Sequence, residues 1–133
     1  MKILVVEDNF TSRRLLQKYL SSYGNSEIAV NGKEAVEAFV SAHDEGEPYD
    51  LICLDIMMPE MDGQEALKKI RRIEEEMDIH GLGRVKIIMT TVLDDRKNVM
   101  EAFKSQCDGY IIKPIDRRDL LKVIGSLDLP QRD

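Results

Sequence analysis

The side chains that could do chemistry in this chain each stand directly after an apolar run. Glu7-Asp8 follow Ile3-Leu4-Val5-Val6, and Asp55 follows Leu51-Ile52-Cys53-Leu54. Thr90-Thr91 follow the run that begins at Val85, and Lys113-Pro114 follow Tyr110-Ile111-Ile112. Carboxylates brought together repel one another, so their charge has to be relieved by protonation or by a cation. One or two carboxylates, a carbonyl and several waters suit Mg²⁺, whose remaining positions phosphate oxygens can fill. In such a site Asp55 would attack phosphorus as a nucleophile and become an aspartyl phosphate. A lysine ammonium and a hydroxyl would meanwhile stabilise the charge on the transferred group. Taken singly, each residue has a plainer reading: Glu7-Asp8 as a helix-capping pair, Thr91 as a strand-end hydroxyl, Lys113 as a surface charge. Their common placement after four separate apolar runs favours the chemical one.

That convergence needs a particular scaffold. Apolar runs at residues 3–6, 27–30, 51–54, 85–89 and 110–112 alternate with longer segments of helical period, which predicts a parallel sheet built from βαβ units. In an open sheet of this kind the carboxyl ends of the strands face the ligand crevice. The run at 51–54 lies between Pro48 and Pro59 and has no polar residue, so it reads as a central strand buried on both faces.

The first helix should carry Leu16, Tyr19, Leu20 and Tyr23 inward and stop at Gly24-Asn25. Asn31 with Glu34 makes a capping-box-like start for a second helix, with Ala35, Val36, Phe39 and Val40 as its stripe. Asp62 with Glu65 starts a third, with Met61 as a staple and Ala66, Ile70, Ile73 and Met77 on one face. Its other face, Lys68, Lys69, Arg71, Arg72 and Glu74-Glu75-Glu76, reads as a solvated, salt-bridged surface. Asp94 or Asp95 can cap a fourth helix carrying Val99, Met100 and Phe103. Asp116 can cap a fifth with Leu120, Leu121, Ile124 and Leu127 inward. The two-glycine loop at 78–84 has no evident role.

The chain has 133 residues, 43% hydrophobic and 33% charged, which fits one aliphatic-cored domain. A net charge of −6 argues against direct nucleic-acid binding. Cys53 and Cys107 lack metal-site spacing and read as reduced thiols. The opening apolar run is too short for a signal peptide and no stretch has membrane length, so a cytoplasmic protein without a membrane partner is expected.

At the level of whole motifs the chain resembles the receiver domains of bacterial two-component response regulators, the chemotaxis-regulator-like family. The likeness rests on Val5-Val6-Glu7-Asp8-Asn9, on Leu54-Asp55-Ile56-Met57-Met58-Pro59-Glu60-Met61-Asp62-Gly63, on Ile87-Ile88-Met89-Thr90-Thr91 and on Gly109-Tyr110-Ile111-Ile112-Lys113-Pro114. It implies an α/β, flavodoxin-like (βα)5 fold: a doubly wound five-stranded parallel sheet in order 2-1-3-4-5. A receiver domain over residues 1–128 and a polar tail over 129–133 are expected.

By the same likeness Asp55 is the phosphoacceptor, and Asp8, Asp55 and the backbone carbonyl of Met57 are Mg²⁺ ligands, with Glu7 acting through a water. Thr91 matches the switch hydroxyl, with Thr90 as competitor; Lys113 matches the phosphate-binding lysine and Tyr110 the aromatic that turns inward with Thr91. The Lys113-Pro114 bond matches a family cis peptide. The resemblance implies a signalling domain that phosphorylates and dephosphorylates itself rather than a turnover enzyme. Its partners would be a sensor histidine kinase or a histidine phosphotransfer protein, and a downstream protein or second copy. The latter would be met through the fourth helix, fifth strand and fifth helix, including Tyr110, Lys104, Arg117 and Arg118.

Three departures stand out. Glu7 replaces the commoner Asp, Val92 is bulkier than the usual residue after the switch hydroxyl, and the loop at 78–84 lengthens the step from Asp55 to Thr91. Among other readings, an FMN carrier of the same fold would need a Ser/Thr/Gly-rich phosphate loop where this chain has Glu7-Asp8-Asn9-Phe10. An aspartate-based Mg²⁺-dependent phosphohydrolase would want an acid where Met57 stands. A pure interaction module would not need the acid, lysine and hydroxyl set.

Overall fold

The computed structural model describes residues 1–129. Five strands, β1 (Ile3–Val6), β2 (Ser26–Ala29), β3 (Leu51–Asp55), β4 (Lys86–Thr91) and β5 (Gly109–Ile112), alternate with five helices. These are α1 (Phe10–Leu20), α2 (Gly32–Asp44), α3 (Gly63–Glu76), α4 (Arg96–Lys104) and α5 (Arg117–Gly125). The sheet is parallel throughout, in the expected order β2-β1-β3-β4-β5. Of the polar tail expected over 129–133, residues 130–133 lie outside the described residues, and Leu129 packs against the core.

The sheet separates two cores through the period-two alternation of its strands. Leu4, Val6, Ile52, Leu54, Ile87 and Met89 face α2, α3 and α4, meeting Phe39, Leu67, Ile70 and Ala102. Ile3, Val5, Leu51, Cys53, Ile88 and Ile111 face α1 and α5, meeting Leu16, Leu20, Leu120 and Ile124. Strand β3 is buried along its whole length, as its unbroken apolar run predicts. Burial pushes the thiols of Cys53 and Cys107 up, to about 12 and about 11, so both stay protonated near neutrality.

The caps follow the sequence closely. Asn31, Asp62, Asp95 and Asp116 each accept a backbone N–H from the first turn of their helix as expected, and at α1 the cap is Asn9 rather than the Glu7-Asp8 pair. Glu34 reaches back to the N–H of Val30, one residue before the expected partner. The first helix ends at Leu20, ahead of the Gly24-Asn25 stop, and the second strand begins one residue early, at Ser26.

Three expectations about faces are corrected. Met77 is 39% exposed, because α3 has ended at Glu76 and the chain turns away at Asp78, whose φ of 59° is left-handed. Met100 and Phe103 are exposed, and Ala102 alone of α4 is fully buried, because this short helix packs against α3 and β5 and leaves its remaining surface open. Arg71 and Glu74 are buried rather than solvated. Arg71 donates through Nη1 to Glu74 Oε1 (2.7 Å) and the Val85 carbonyl (2.8 Å), through Nη2 to Asp108 Oδ2 (2.9 Å), and through Nε to the Gln106 carbonyl (3.0 Å). Glu74 Oε2 accepts the Val85 N–H at 2.7 Å, and Asp108 Oδ2 accepts that of Ile87 at 2.9 Å. A buried ion pair repays its desolvation only when its remaining donors and acceptors are met, and here backbone groups meet them. The network joins α3 to the starts of β4 and β5, so the loop at 78–84, which contains a short 3-10 turn at Gly81–Gly83, is anchored at the sheet edge opposite Asp55.

Arg71→Ala, which strands the Glu74 carboxylate in the interior, is expected to cost about 3–5 kcal/mol in urea unfolding. The exposed neighbour Arg72→Ala should stay within about 0.5 kcal/mol. Equal losses from the two substitutions would contradict a structural role for the buried pair.

Candidate functional site

The site is assembled at the carboxyl edge of the sheet by polar residues that close a strand or follow it within two residues. Glu7 still belongs to the sheet, donating its N–H to the Ala29 carbonyl at 3.0 Å, while Asp8 is the first residue to leave it and is exposed. Asp55 closes β3, and Lys113 follows β5 with its N–H on the Thr91 carbonyl at 2.7 Å. Carboxylate oxygens of Glu7, Asp8 and Asp55 all lie within 4.8 Å of one another. Lys113 Nζ stands 2.7 Å from Glu7 Oε1 and 3.3 Å from Asp55 Oδ2. The Lys113-Pro114 peptide is cis, as the resemblance implies.

The loop after β3 is folded tightly over this edge. Gly63 donates its N–H to the Ile56 carbonyl at 2.8 Å, and a side chain there would run into the Asp55 carbonyl, since its Cβ would lie 2.1 Å from that oxygen. Gly32, at the start of α2, donates to the Met61 carbonyl at 3.0 Å and leaves just as little room. Glycine at both places lets backbone approach backbone, which positions the segment from Ile56 to Asp62 beside Asp55. Met57 donates a long 3.4 Å hydrogen bond to Asp55 Oδ1.

Electrostatics dominate here. Glu7 has no solvent exposure, and its carboxyl pKa is raised to about 7. Burial is the largest cause and the neighbouring Asp55 the next, with the Lys113 ammonium opposing both. Three carboxylates against a single ammonium leave the cluster short of positive charge. Glu7 Oε2 is buried and has no hydrogen-bond partner among the described residues. This all-oxygen donor set, with an acceptor to spare, fits a hard divalent cation such as Mg²⁺.

The two candidate switch residues converge on a different point. Thr91 is fully buried, and its Oγ1 accepts the Leu93 N–H at 3.2 Å. The half-buried Tyr110 donates its hydroxyl to the Leu93 carbonyl at 2.7 Å. Thr90, the competing candidate, lies in register with Asp55 but is likewise fully buried. Thus Glu7, Asp8, Asp55 and Lys113 meet directly, while Thr91 and Tyr110 are tied to the loop between β4 and α4. Val92 is exposed at the start of that loop.

Gln64 was not singled out in the sequence. It is 5% exposed, and its Nε2 donates to the Asn98 carbonyl at 3.0 Å, pinning the first turn of α4 to α3. It borders an open groove of about 520 Å³ running from Asp8 past Met57 and Met58 to Glu101. A polar residue directly after the Asp62-Gly63 helix start carries no periodic signal that would distinguish it from a surface position.

Comparison with known proteins gives one consistent answer. A family model described as "Response regulator receiver domain" matches residues 3–125. The osmosensing histidine protein kinase SLN1 of Saccharomyces cerevisiae is 34% identical over 127 residues, covering 93% of this chain and 10% of that protein. The transcriptional regulatory protein ResD of Bacillus subtilis is 37% identical over 128 residues, covering 95% of this chain and 47% of ResD. The chain therefore spans a tenth to about half of these relatives. Among solved structures, a chain of the CheX-CheY-BeF3-Mg complex from Borrelia burgdorferi is 26% identical with a TM-score of 0.81, over 95% of this chain and 87% of that one. A CheY-like receiver domain protein from Methanospirillum hungatei is 28% identical with a TM-score of 0.76, over 93% and 90%.

Raising the Glu7 pKa from 4.5 to about 7 has a definite thermodynamic sign. The folded state holds this proton more tightly than the unfolded chain, so the associated stability is complete below about pH 4.5 and lost as the pH rises through about 7. In chelator, the melting temperature is expected to fall more between pH 5 and 8 for the wild type than for Glu7→Gln. Parallel curves would overturn the assignment.

Proposed function

The chain belongs to the response regulator receiver domain family of two-component systems, and we propose that within it Asp55 accepts a phosphoryl group in a Mg²⁺-dependent reaction. The observation that carries this reading is the contact of Lys113 Nζ with both Glu7 and Asp55, inside a cluster of three carboxylates at the sheet edge. Asp8, Asp55 and the Met57 carbonyl would hold the ion, with Glu7 acting through one of its waters. When bound, Mg²⁺ neutralises charge on the phosphoryl oxygens.

A carboxylate oxygen of Asp55 attacks phosphorus, and the bond from phosphorus to the donor breaks with its electrons leaving on the donor. The donor is a phosphohistidine of a sensor kinase or phosphotransfer protein, or a small acyl phosphate. Lys113, already 3.3 Å from Asp55 Oδ2, needs only a short shift to meet the new oxygens. Phosphorylation adds roughly two negative charges and several acceptors at Asp55. Thr91 is drawn toward them at the expense of its Leu93 contact, and Tyr110, held by the same residue, follows. The phosphate shifts the population because it binds that arrangement better.

The reporting surface is the face of α4, β5 and α5. Met100, Phe103 and Ile112 are exposed there beside Lys104, Arg117 and Arg118, which suits a partner protein or a second copy. A turnover phosphohydrolase draws no support from these findings, since the place two residues after Asp55 holds the exposed Met57. Among the described residues, no helix is long and apolar enough to cross a membrane. We take the domain to act in the cytoplasm, with residues 1–128 as the receiver unit.

Mass spectrometry after acetyl phosphate and Mg²⁺ is expected to show one phosphoryl group on the wild type and none on Asp55→Asn. Repeated turnover of a phosphate ester without a labelled protein would overturn the proposal. Val92, 60% exposed after Thr91, narrows the approach of attacking water. Val92→Ala should therefore dephosphorylate faster, and an unchanged or slower rate would count against that role.

A further inference from the structure

Glu7 Oε2 is not alone in lacking a partner, because Thr90 Oγ1 is also buried without a hydrogen-bond partner among the described residues. Both residues have no solvent exposure. Leaving such atoms unpaired carries the full cost of their desolvation, so two of them near one carboxylate call for a physical cause. The sheet register relates them. Asp55 and Thr90 are Cα partners, and Val6 pairs with Leu54, which sets the next residue, Glu7, beside Asp55. By the period-two alternation that turns Val5, Cys53 and Ile88 toward α1 and α5, the side chains of Glu7, Asp55 and Thr90 form one lateral row on that face.

On the far side of Thr90 the row continues with its register partner Ile111, and Ile115 belongs to the same apolar cluster. Neither isoleucine can bond the Thr90 hydroxyl, and the polar side chains of the row itself are Asp55 and Glu7. Lys113 occupies Glu7 Oε1 and Asp55 Oδ2, which leaves Glu7 Oε2 for a different donor. Strands about 4.8 Å apart put Glu7 and Thr90 two strand spacings from each other, a span that one water between a long and a short side chain can bridge. Buried waters typically make about three hydrogen bonds to polar groups that have no other partner.

We infer that Thr90 is a positioning residue of the acidic site, acting through a buried water that accepts its Oγ–H and donates to Glu7 Oε2 and to the Asp55 carboxylate. This bridge sets a donor between two like charges from the side of α1 and α5, as Lys113 does from the open edge. It orients Glu7 without occupying the space in front of Asp55. Thr90, set against Thr91 as a switch hydroxyl, thus takes a separate role. The functional half of the inference rests on reading the cluster as a Mg²⁺ site; the water does not.

The test pairs Thr90→Val, which keeps the shape and removes the hydroxyl, with Thr90→Ser, which does the reverse. In calorimetric Mg²⁺ titrations Thr90→Ser is expected to bind like the wild type and Thr90→Val about tenfold more weakly, as for other groups that orient metal ligands. A high-resolution crystal structure of the metal-free wild type should show a water within hydrogen-bond reach of Thr90 Oγ1 and Glu7 Oε2. Wild-type affinity in Thr90→Val, a loss confined to Thr90→Ser, or the lack of such a water would overturn the inference. Should Thr90→Val not fold, the serine variant and the water still decide it. If the wild type itself binds no Mg²⁺, the metal-site reading fails, and the water alone then decides the bridge.

Discussion

Like charge held at short range is the constraint from which the rest of this structure follows. Glu7, Asp8 and Asp55 bring carboxylate oxygens within 4.8 Å of one another at the end of a sheet, and Lys113 is the ammonium that reaches into the group. A cluster of this kind stores unfavourable energy, which burial of Glu7 increases. Under the proposed function, that energy would also make the site responsive. A cation, a proton or a phosphoryl group with its counter-charges each relieves it differently, so binding at this edge can be converted into a change of shape.

The scaffold meets the constraint by spending its stability elsewhere. Two aliphatic cores, one on each face of the sheet, hold the strands in register, so the polar residues that end β1 and β3 are delivered by rigid elements. At the opposite edge the buried Arg71, Glu74 and Asp108 network ties α3 to the starts of β4 and β5. Charges are buried at both edges, with opposite consequences. At the Arg71 edge every charged atom of Arg71 and Glu74 has a backbone or side-chain partner and the network is structural. At the Asp55 edge Glu7 Oε2 and Thr90 Oγ1 lack them.

Between the acidic cluster and the exposed face of α4 and β5, the proposed switch would run through one loop residue. Thr91 and Tyr110 do not touch each other through their hydroxyls; both are bound to Leu93, one at its N–H and the other at its carbonyl. Gln64 adds a second tether by holding the Asn98 carbonyl in the first turn of α4. A pull on Thr91 from the phosphoryl side would act on the same loop residue that positions Tyr110. The exposed Met100, Phe103 and Ile112 lie downstream of that loop.

Helix starts and the convergence of Glu7, Asp55 and Lys113 were legible in the sequence because each depends on local pattern, whereas the strand order came from motif likeness. An apolar run ending in a polar residue marks a strand end, an Asx residue marks a helix start, and parallel βαβ units bring strand ends to one edge. The cis bond at Lys113-Pro114 was available from motif likeness. Which charged residues of α3 turn inward was not, since Arg71 and Glu74 share their composition with solvated neighbours. Only the approach of β4, β5 and the Gln106 carbonyl supplied the partners that allow their burial. Met100 and Phe103 carry a core-like pattern yet face solvent, because which side of a short helix is covered depends on the neighbours that reach it, here α3 and β5. The raised proton affinity of Glu7 and the unpaired hydroxyl of Thr90 are likewise tertiary facts. They arise from what surrounds an atom in space, which residue order along the chain does not encode position by position.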